Sequence, residues 1–75
     1  MKFRHTCTIT SRKLGEVDMT AEFQMVGASA TIDRIKDGGS WISYEEACAR
    51  NIINDVFALD MEQQAETAYC KAGLA

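Results

Sequence analysis

The sequence predicts an α+β domain of two layers, in which a three-stranded antiparallel meander is followed by two C-terminal helices packed on one of its faces. Three observations indicate this β-β-β-α-α order. Apolar and polar residues alternate strictly over residues 3–10 and 17–25, which is the period of a half-buried strand. A shorter alternation covers residues 28–33. From residue 43 onward, apolar residues recur at helical spacing instead.

Size and charge restrict the classes of function. The chain has 75 residues and a net charge of -3, which indicates one domain over residues 1–75. This acidic balance argues against a phosphate backbone as the principal ligand, because such binding depends on clustered Lys and Arg. No apolar run reaches the length of a signal peptide or membrane span. Three cysteines without a C-x-x-C pair are typical of a reducing compartment, so we expect a cytoplasmic, non-membrane protein.

The first two strands are expected to form a hairpin with Gly15 in its turn. Their register is predicted by keeping both apolar sets on one face, because a slip by one residue would turn one set toward water. That register places Phe3 beside Phe23 on the inner face. On the outer face it sets Arg4 against Glu22 and Thr6 against Thr20, both favoured cross-strand pairs.

The third strand leaves two registers open. A two-residue loop would place Met25 opposite Ala28, and a four-residue loop of the same parity is equally compatible. Ile35 interrupts the alternation, so the strand either bulges there or ends near Arg34. Residues 36–40, which include Gly38 and Gly39, are predicted to be a linker.

The first helix is predicted over residues 43–58. Ser43 and Glu46 have the spacing of a capping box at its start. Its predicted buried stripe consists of Tyr44, Ala47, Cys48, Ile52, Ile53, Val56, Phe57 and Leu59.

A second helix is predicted to begin at Asp60, where Gln63 repeats the capping spacing, and to end near Lys71 and Gly73. An aspartate is unfavourable at a helix C-terminus and favourable at an N-terminus, which favours a break at Asp60. The alternative is one continuous helix of about 29 residues. The predicted stripe of the second helix consists of Met61, Ala65, Ala68, Tyr69 and Ala72.

Residue types suited to catalysis occur without the spacing that catalysis requires. His5 and Cys7 share a strand face and Cys48 and Cys70 lie on the predicted buried sides of the helices, but close ligand pairs typical of zinc sites are missing. No third group orients a Cys–His nucleophilic pair. The three cysteines are therefore interpreted as small core residues. We expect no metal, no cofactor and no catalytic residue, and hence no enzymatic activity.

Exposed charge and one tryptophan remain as candidates for partner binding. Glu62 and Glu66 are spaced to form an acidic patch on one helix face, and Arg12 and Lys13 lie at the hairpin tip. Trp41 either packs over the open end of the sheet as core, or stays exposed beside Tyr44 as an interface anchor. The residues predicted to bind a partner are Glu45, Glu46, Arg50, Asn54, Glu62, Glu66, Trp41, Arg12 and Lys13.

The leading functional hypothesis is a small acidic protein-binding module that occupies the surface of a larger, basic partner protein. Inhibitors carried by phages or mobile elements against a host nuclease or a defence complex, such as a CRISPR effector, have this format. A nucleic-acid-binding domain using the open sheet face or the Arg12 and Lys13 tip is the alternative, although the sequence places the aromatic stacking residues on the other face. A structural homodimer subunit is the third hypothesis.

Overall fold

The computed structural model describes residues 1–11 and 15–73, and it confirms the α+β class with two C-terminal helices. The described residues form four strands where three were predicted, in the sheet order β1-β2-β3-β4 with every neighbouring pair antiparallel. The elements are β1 Lys2–Ser11, β2 Gly15–Val26, β3 Ser29–Asp37, β4 Ser40–Ser43, α1 Tyr44–Ala49 and α2 Asp55–Lys71.

The predicted register of the first hairpin is confirmed. Phe3 faces Phe23, Arg4 faces Glu22 and Thr6 faces Thr20. The hydroxyl oxygens of the two threonines lie 2.9 Å apart. Gly15 begins β2 with a positive φ of 72°, the conformation for which glycine is suited.

Of the two registers left open for the second hairpin, the one with four residues between Met25 and its partner is confirmed, and the pairing of Met25 with Ala28 was wrong. Met25 faces Ala30, and Gly27 with Ala28 forms the turn. Gly27 supplies the positive φ of 61° that Val26 could not adopt at low energy. Farther along, Phe23 faces Ile32 while Glu22 faces Arg34, so β3 carries an extra residue between these pairs. The bulge predicted as one alternative is therefore confirmed, and it returns Ile35 to the core.

The predicted linker over residues 36–40 is a hairpin turn. Asp37 pairs with Ser40 across Gly38 and Gly39, and β4 continues as a fourth strand in which Trp41 faces Lys36. Gly38 adopts a positive φ of 62°. A strand of four residues is too short for its alternation to be recognised in sequence.

The first helix ends far earlier than predicted. Ser43 caps α1 as expected, since its Oγ accepts the N–H of Glu46 at 3.1 Å. Asn51 then takes the left-handed conformation with φ of 58°. The N–H of Asn51 donates to the Cys48 carbonyl (3.1 Å) and that of Ile52 to the Ala47 carbonyl (3.0 Å). This pair of bonds is a Schellman motif, which asparagine accommodates better than most residues.

The second helix begins at residue 55, so the predicted break at Asp60 and the single long helix were both wrong. The Asn54 side chain caps α2 by accepting the Phe57 N–H at 3.0 Å, and Asp60 lies within the helix. The new start changes which residues face inward. Val56 and Leu59, predicted as core, are 74% and 58% exposed. The residues that α2 buries are Ala58, Met61, Ala65 and Tyr69.

The core lies between the inner face of the sheet and the two helices. Helix α2 packs against β1 and β3, and α1 packs against β3 and β4. Phe23, Ile35, Met61 and Cys7 are the largest fully buried side chains. The cysteines were predicted as core residues, but only Cys7 is buried: Cys48 is half-buried and Cys70 is exposed. Neither described helix is long and apolar enough to cross a bilayer.

Candidate functional site

Trp41 lies on the outer face of the sheet, opposite to the face that the helices cover. In β4 it sits beside Lys36, whereas its neighbour Ile42 pairs with the buried Ile35 on the inner face. The Cζ atoms of Arg4 and Arg34 lie 4.9 Å and 5.4 Å from the centroid of the indole ring. Both distances are within the range of cation–π attraction.

Neither predicted position of Trp41 matches this location. It does not lie in the core at the end of the sheet, and it is half-buried on the outer face. Tyr44 instead begins α1, and its hydroxyl donates to Asp55 at 3.3 Å. The short strand β4 is what turns the indole outward.

Glu22 fixes the two arginines that contact the indole. Its Oε2 accepts from Nε of Arg4 at 3.0 Å, and its Oε1 accepts from Nη2 of Arg34 at 2.9 Å. Although Glu22 points to the outer face, it is only 5% exposed. We call Trp41, Arg4, Arg34 and Glu22 the Trp41 cluster.

The arginines also set the ionisation of Glu22. The hydrogen bonds from Arg34 and then from Arg4 hold the pKa of this carboxyl below its ordinary value, against the opposing effect of burial. The charged carboxylate keeps both guanidinium groups in place. The Trp41 cluster is therefore held together by charge-assisted hydrogen bonds within the fold.

Changing Glu22 to Gln is expected to reduce stability in a pH-dependent way. A lowered pKa means that the unfolded chain takes up the proton first, so the contribution of Glu22 is present near neutral pH and is lost as the pH falls through the folded-state value. Urea unfolding of both chains at about pH 7 and at about pH 3 measures it. Glu16→Gln, an exposed carboxylate on the same strand, is the matched control. If the free energies of unfolding of wild type and Glu22→Gln differed by the same amount at both pH values, the lowered pKa of Glu22 would be contradicted.

Charges on the outer face are balanced in the described part of the chain. The basic residues are Lys2, Arg4, Arg34 and Lys36, and the acidic residues are Glu16, Asp18, Glu22 and Asp33. Lys2 forms an ion pair with Asp33, and the Thr8 hydroxyl donates to Asp18 at 2.9 Å. The face therefore combines an aromatic side chain with charges of both signs.

The predicted partner residues of the first helical segment lie on the helical side of the molecule. Glu45 is exposed in α1. Glu46 accepts from Nε of Arg50 at 2.9 Å, and Arg50 also reaches Asp37 at 3.4 Å. Asn54 is the N-cap of α2, so its side chain already has a structural partner. The structure does not bring these residues together with Trp41.

Glu62 and Glu66 contact the sheet. The N–H of Ile32 donates to Glu62 at 3.0 Å, and that of Ala30 donates to Glu66 at 2.9 Å. Strand β4 pairs with β3 only at Arg34 and beyond, so these two carboxylates cover the part of the β3 edge that β4 leaves open. Their predicted role toward a partner remains a prediction. Arg12 and Lys13 lie outside the described residues.

His5 and Cys7 are occupied by contacts within the fold. The imidazole stacks on the Phe3 ring with the centroids 6.0 Å apart. Burial, reinforced by the charge of Asp60, raises the pKa of Cys7 to about 11, so the thiol is protonated at neutral pH. Its Sγ donates to the Met61 carbonyl at 3.6 Å. Across residues 1–11 and 15–73, no three His, Cys, Asp or Glu side chains are grouped to hold a metal ion.

Comparisons with protein-family models, with curated proteins and with solved structures gave no match. Sequence reasoning missed three members of the Trp41 cluster as site residues. The opposition of Arg4 and Glu22 was predicted from the register, and it was the available signal. Arg34 gave no signal, because only the bulge in β3 places it beside Glu22.

Proposed function

We propose that this chain is a non-enzymatic protein-binding module whose outer sheet face, centred on the Trp41 cluster, occupies the surface of a larger partner protein. The observation that carries the proposal is the half-buried indole held beside two guanidinium groups on a face without a helix in the described chain. Trp and Arg are enriched among the residues that dominate protein interfaces.

The balance of charge on this face favours a protein partner over nucleic acid. Binding to phosphates needs an excess of Lys and Arg, whereas Lys2, Arg4 and Arg34 are already paired with carboxylates. A protein surface can meet an indole and mixed charges with complementary groups of its own. The Trp41 cluster supports that class of partner.

The net charge of the chain favours a partner that carries basic surface elsewhere. At -3, the chain as a whole would be attracted to such a protein, and association would be faster at low salt. A partner with a basic surface, such as a nuclease or a CRISPR effector complex of a host, would fit. The finer proposal is thus an inhibitor of the type that phages and mobile elements carry. All three cysteines are free thiols, which supports a cytoplasmic setting.

Affinity capture tests the proposal. Immobilised wild-type chain is expected to retain one stoichiometric protein from a nuclease-treated host lysate at low salt, and Trp41→Ala is expected to lose it. Truncation of an interface tryptophan weakens binding by about 2–4 kcal/mol, or roughly 30- to 800-fold in Kd. Glu45→Lys is the control variant on the helical side. It is expected to change the salt dependence of binding more than the amount of partner protein that is retained. Equal retention by Trp41→Ala, or no stoichiometric protein at all, would refute the proposal.

Single-stranded nucleic acid is the second candidate, since Trp41 faces the open side of the sheet, although Phe3 and Phe23 face inward as predicted. An indole flanked by arginines can stack on a base. Titration with labelled single-stranded DNA and RNA at low salt discriminates the two functions. Saturable binding that Trp41→Ala abolishes would favour this candidate.

A homodimer is the third candidate, and the exposed Val56 and Leu59 on α2 favour it. Sedimentation over a range of concentrations tests it. A monomer at high concentration would exclude it.

A further inference from the structure

The outer edge of β1 is open along residues 2–6. Strand β1 pairs only with β2 among the described strands, so it lies at an edge of the sheet. Backbone groups of alternate strand residues point to opposite sides. Thr8 directs its N–H and C=O away from β2, to the Gln64 side chain, at 3.0 Å and 2.8 Å. Thr6 and Arg4, two and four residues before it, therefore direct theirs to the same open side.

The Gln64 side chain shows how a polar group can pair with the backbone at the edge of β1. Its amide donates to the Thr8 carbonyl and accepts the Thr8 N–H, as a residue of an added strand would. It closes the edge at one point. The backbone of residues 2–6 has no comparable partner within the described chain.

A groove of about 470 Å³ runs between this edge and α2, with His5 from the strand and Gln63, Thr67 and Lys71 from the helix among its lining residues. The helix runs antiparallel to β1, because Gln64 meets Thr8 while the Tyr69 ring packs edge-on against Phe3 at 5.3 Å. Lys71 therefore lies toward the open residues 2–6. Asp60, the acidic lining residue, lies toward the end that Gln64 closes.

A second copy of this chain does not suit the edge. A two-fold pairing that covers residues 2–6 would place Arg4 directly opposite Arg4 of the other copy, and like charges in that position are destabilising. Registers displaced toward Thr8 would have to remove the Gln64 amide. The occupant that fits is a strand of different sequence.

We propose that an extended acidic segment of a partner protein adds to β1 along residues 2–6 as a further strand, with carboxylate side chains directed into the groove toward Lys71. Backbone hydrogen bonds to Arg4 and Thr6 supply the pairing, and the groove takes alternate side chains, as in other cases of strand addition. The lining of the groove contains no residue of the Trp41 cluster, and the two sites share only Arg4, through its backbone here and through its side chain there. This proposal can therefore fail while the proposed function stands.

The test is a titration of the ¹⁵N-labelled full chain with the peptide Ac-TVEVEVT-NH2, followed by amide shifts and amide exchange. Shifts are expected at residues 2–6, Thr67 and Lys71, with slowed exchange at Arg4 and Thr6. The matched peptide Ac-TVKVKVT-NH2 is expected to bind about tenfold more weakly, because it places ammonium groups near Lys71.

Two variants separate strand addition from general attraction. Thr6→Pro removes a backbone N–H on the open side and leaves the hydrogen bonds between β1 and β2 in place. It is expected to weaken binding of the acidic peptide about tenfold. Thr6→Val keeps the N–H and should bind as wild type does. Lys71→Glu is expected to reverse the preference between the peptides, which also tests the proposal if Thr6→Pro does not fold. No shifts, shifts confined to the outer face, or concentration-dependent protection of Arg4 and Thr6 without peptide would overturn the proposal.

Discussion

Replacing Phe23 with alanine is expected to lower the free energy of unfolding by about 3–5 kcal/mol. Phe23 is 0% exposed, lies on the central strand β2, and faces Phe3 on one side and Ile32 on the other. Its removal leaves a cavity that both neighbouring strands would have to close. A chain of this size is expected to have a total stability of about 4–11 kcal/mol, so the variant would be close to unfolding at room temperature.

Urea unfolding followed by circular dichroism measures this loss. Val26→Ala, on the same strand but 73% exposed, is the matched control and should change stability by no more than about 0.5 kcal/mol. If both variants lost the same small amount, Phe23 would not occupy the centre of the core.

Replacing Met61 with alanine is expected to lower the free energy of unfolding by about 2–5 kcal/mol. Met61 is 0% exposed and belongs to the core between α2 and the sheet, and its backbone carbonyl accepts the Cys7 thiol of β1. The side chain joins the helical layer to the sheet. The loss should appear as a lower urea midpoint with an unchanged slope, because the surface exposed on unfolding stays nearly the same.

Leu59→Ala is the informative control for Met61. The sequence pattern placed both residues in buried stripes, whereas the structure exposes Leu59 by 58%. Its truncation should change stability by no more than about 0.5 kcal/mol. If Leu59→Ala lowered the free energy of unfolding as much as Met61→Ala does, Leu59 would face the core as the sequence pattern predicted. That result would contradict a helix that begins at residue 55.

The sheet was predictable where one face is buried along the full length of a strand. In β1 and β2 the alternation excluded a slip by one residue, and the favoured outer pairs Arg4–Glu22 and Thr6–Thr20 selected one of the remaining registers. The register between β2 and β3 could not be predicted from alternation, because a shift by two residues keeps the same face inward. The choice there depends on the positive φ of Gly27, which a pattern of apolar residues does not encode.

The predicted boundaries of the two helices were wrong for a different reason. Asn51 and Asn54 were interpreted as members of a polar helix face, but asparagine is a poor residue inside a helix and a good one at its ends. One ends α1 in the left-handed conformation and the other caps α2. Two asparagines three residues apart were the signal for the break. The charge of Asp60 and its capping spacing to Gln63 indicated a helix start that the structure does not have.

The candidate site was predictable only in part. Trp41 was identified from its residue type, but its position depends on β4, a strand of four residues. Glu62 and Glu66 were predicted as an exposed patch, and their bonds to Ile32 and Ala30 depend on where α2 crosses the sheet. That crossing is a tertiary feature, which the helix periodicity does not determine.

Trp41 is the single tryptophan of the chain, so indole emission reports on the proposed binding face once the emission of the partner alone is subtracted. The most direct test titrates the wild-type chain with the purified partner from the capture experiment and follows indole emission and acrylamide quenching. The expected result is a blue shift and protection from acrylamide that saturate with the same midpoint as complex formation. Saturated binding that leaves both the emission and the quenching of Trp41 unchanged would show that the partner binds elsewhere, and would contradict the outer sheet face as the functional surface.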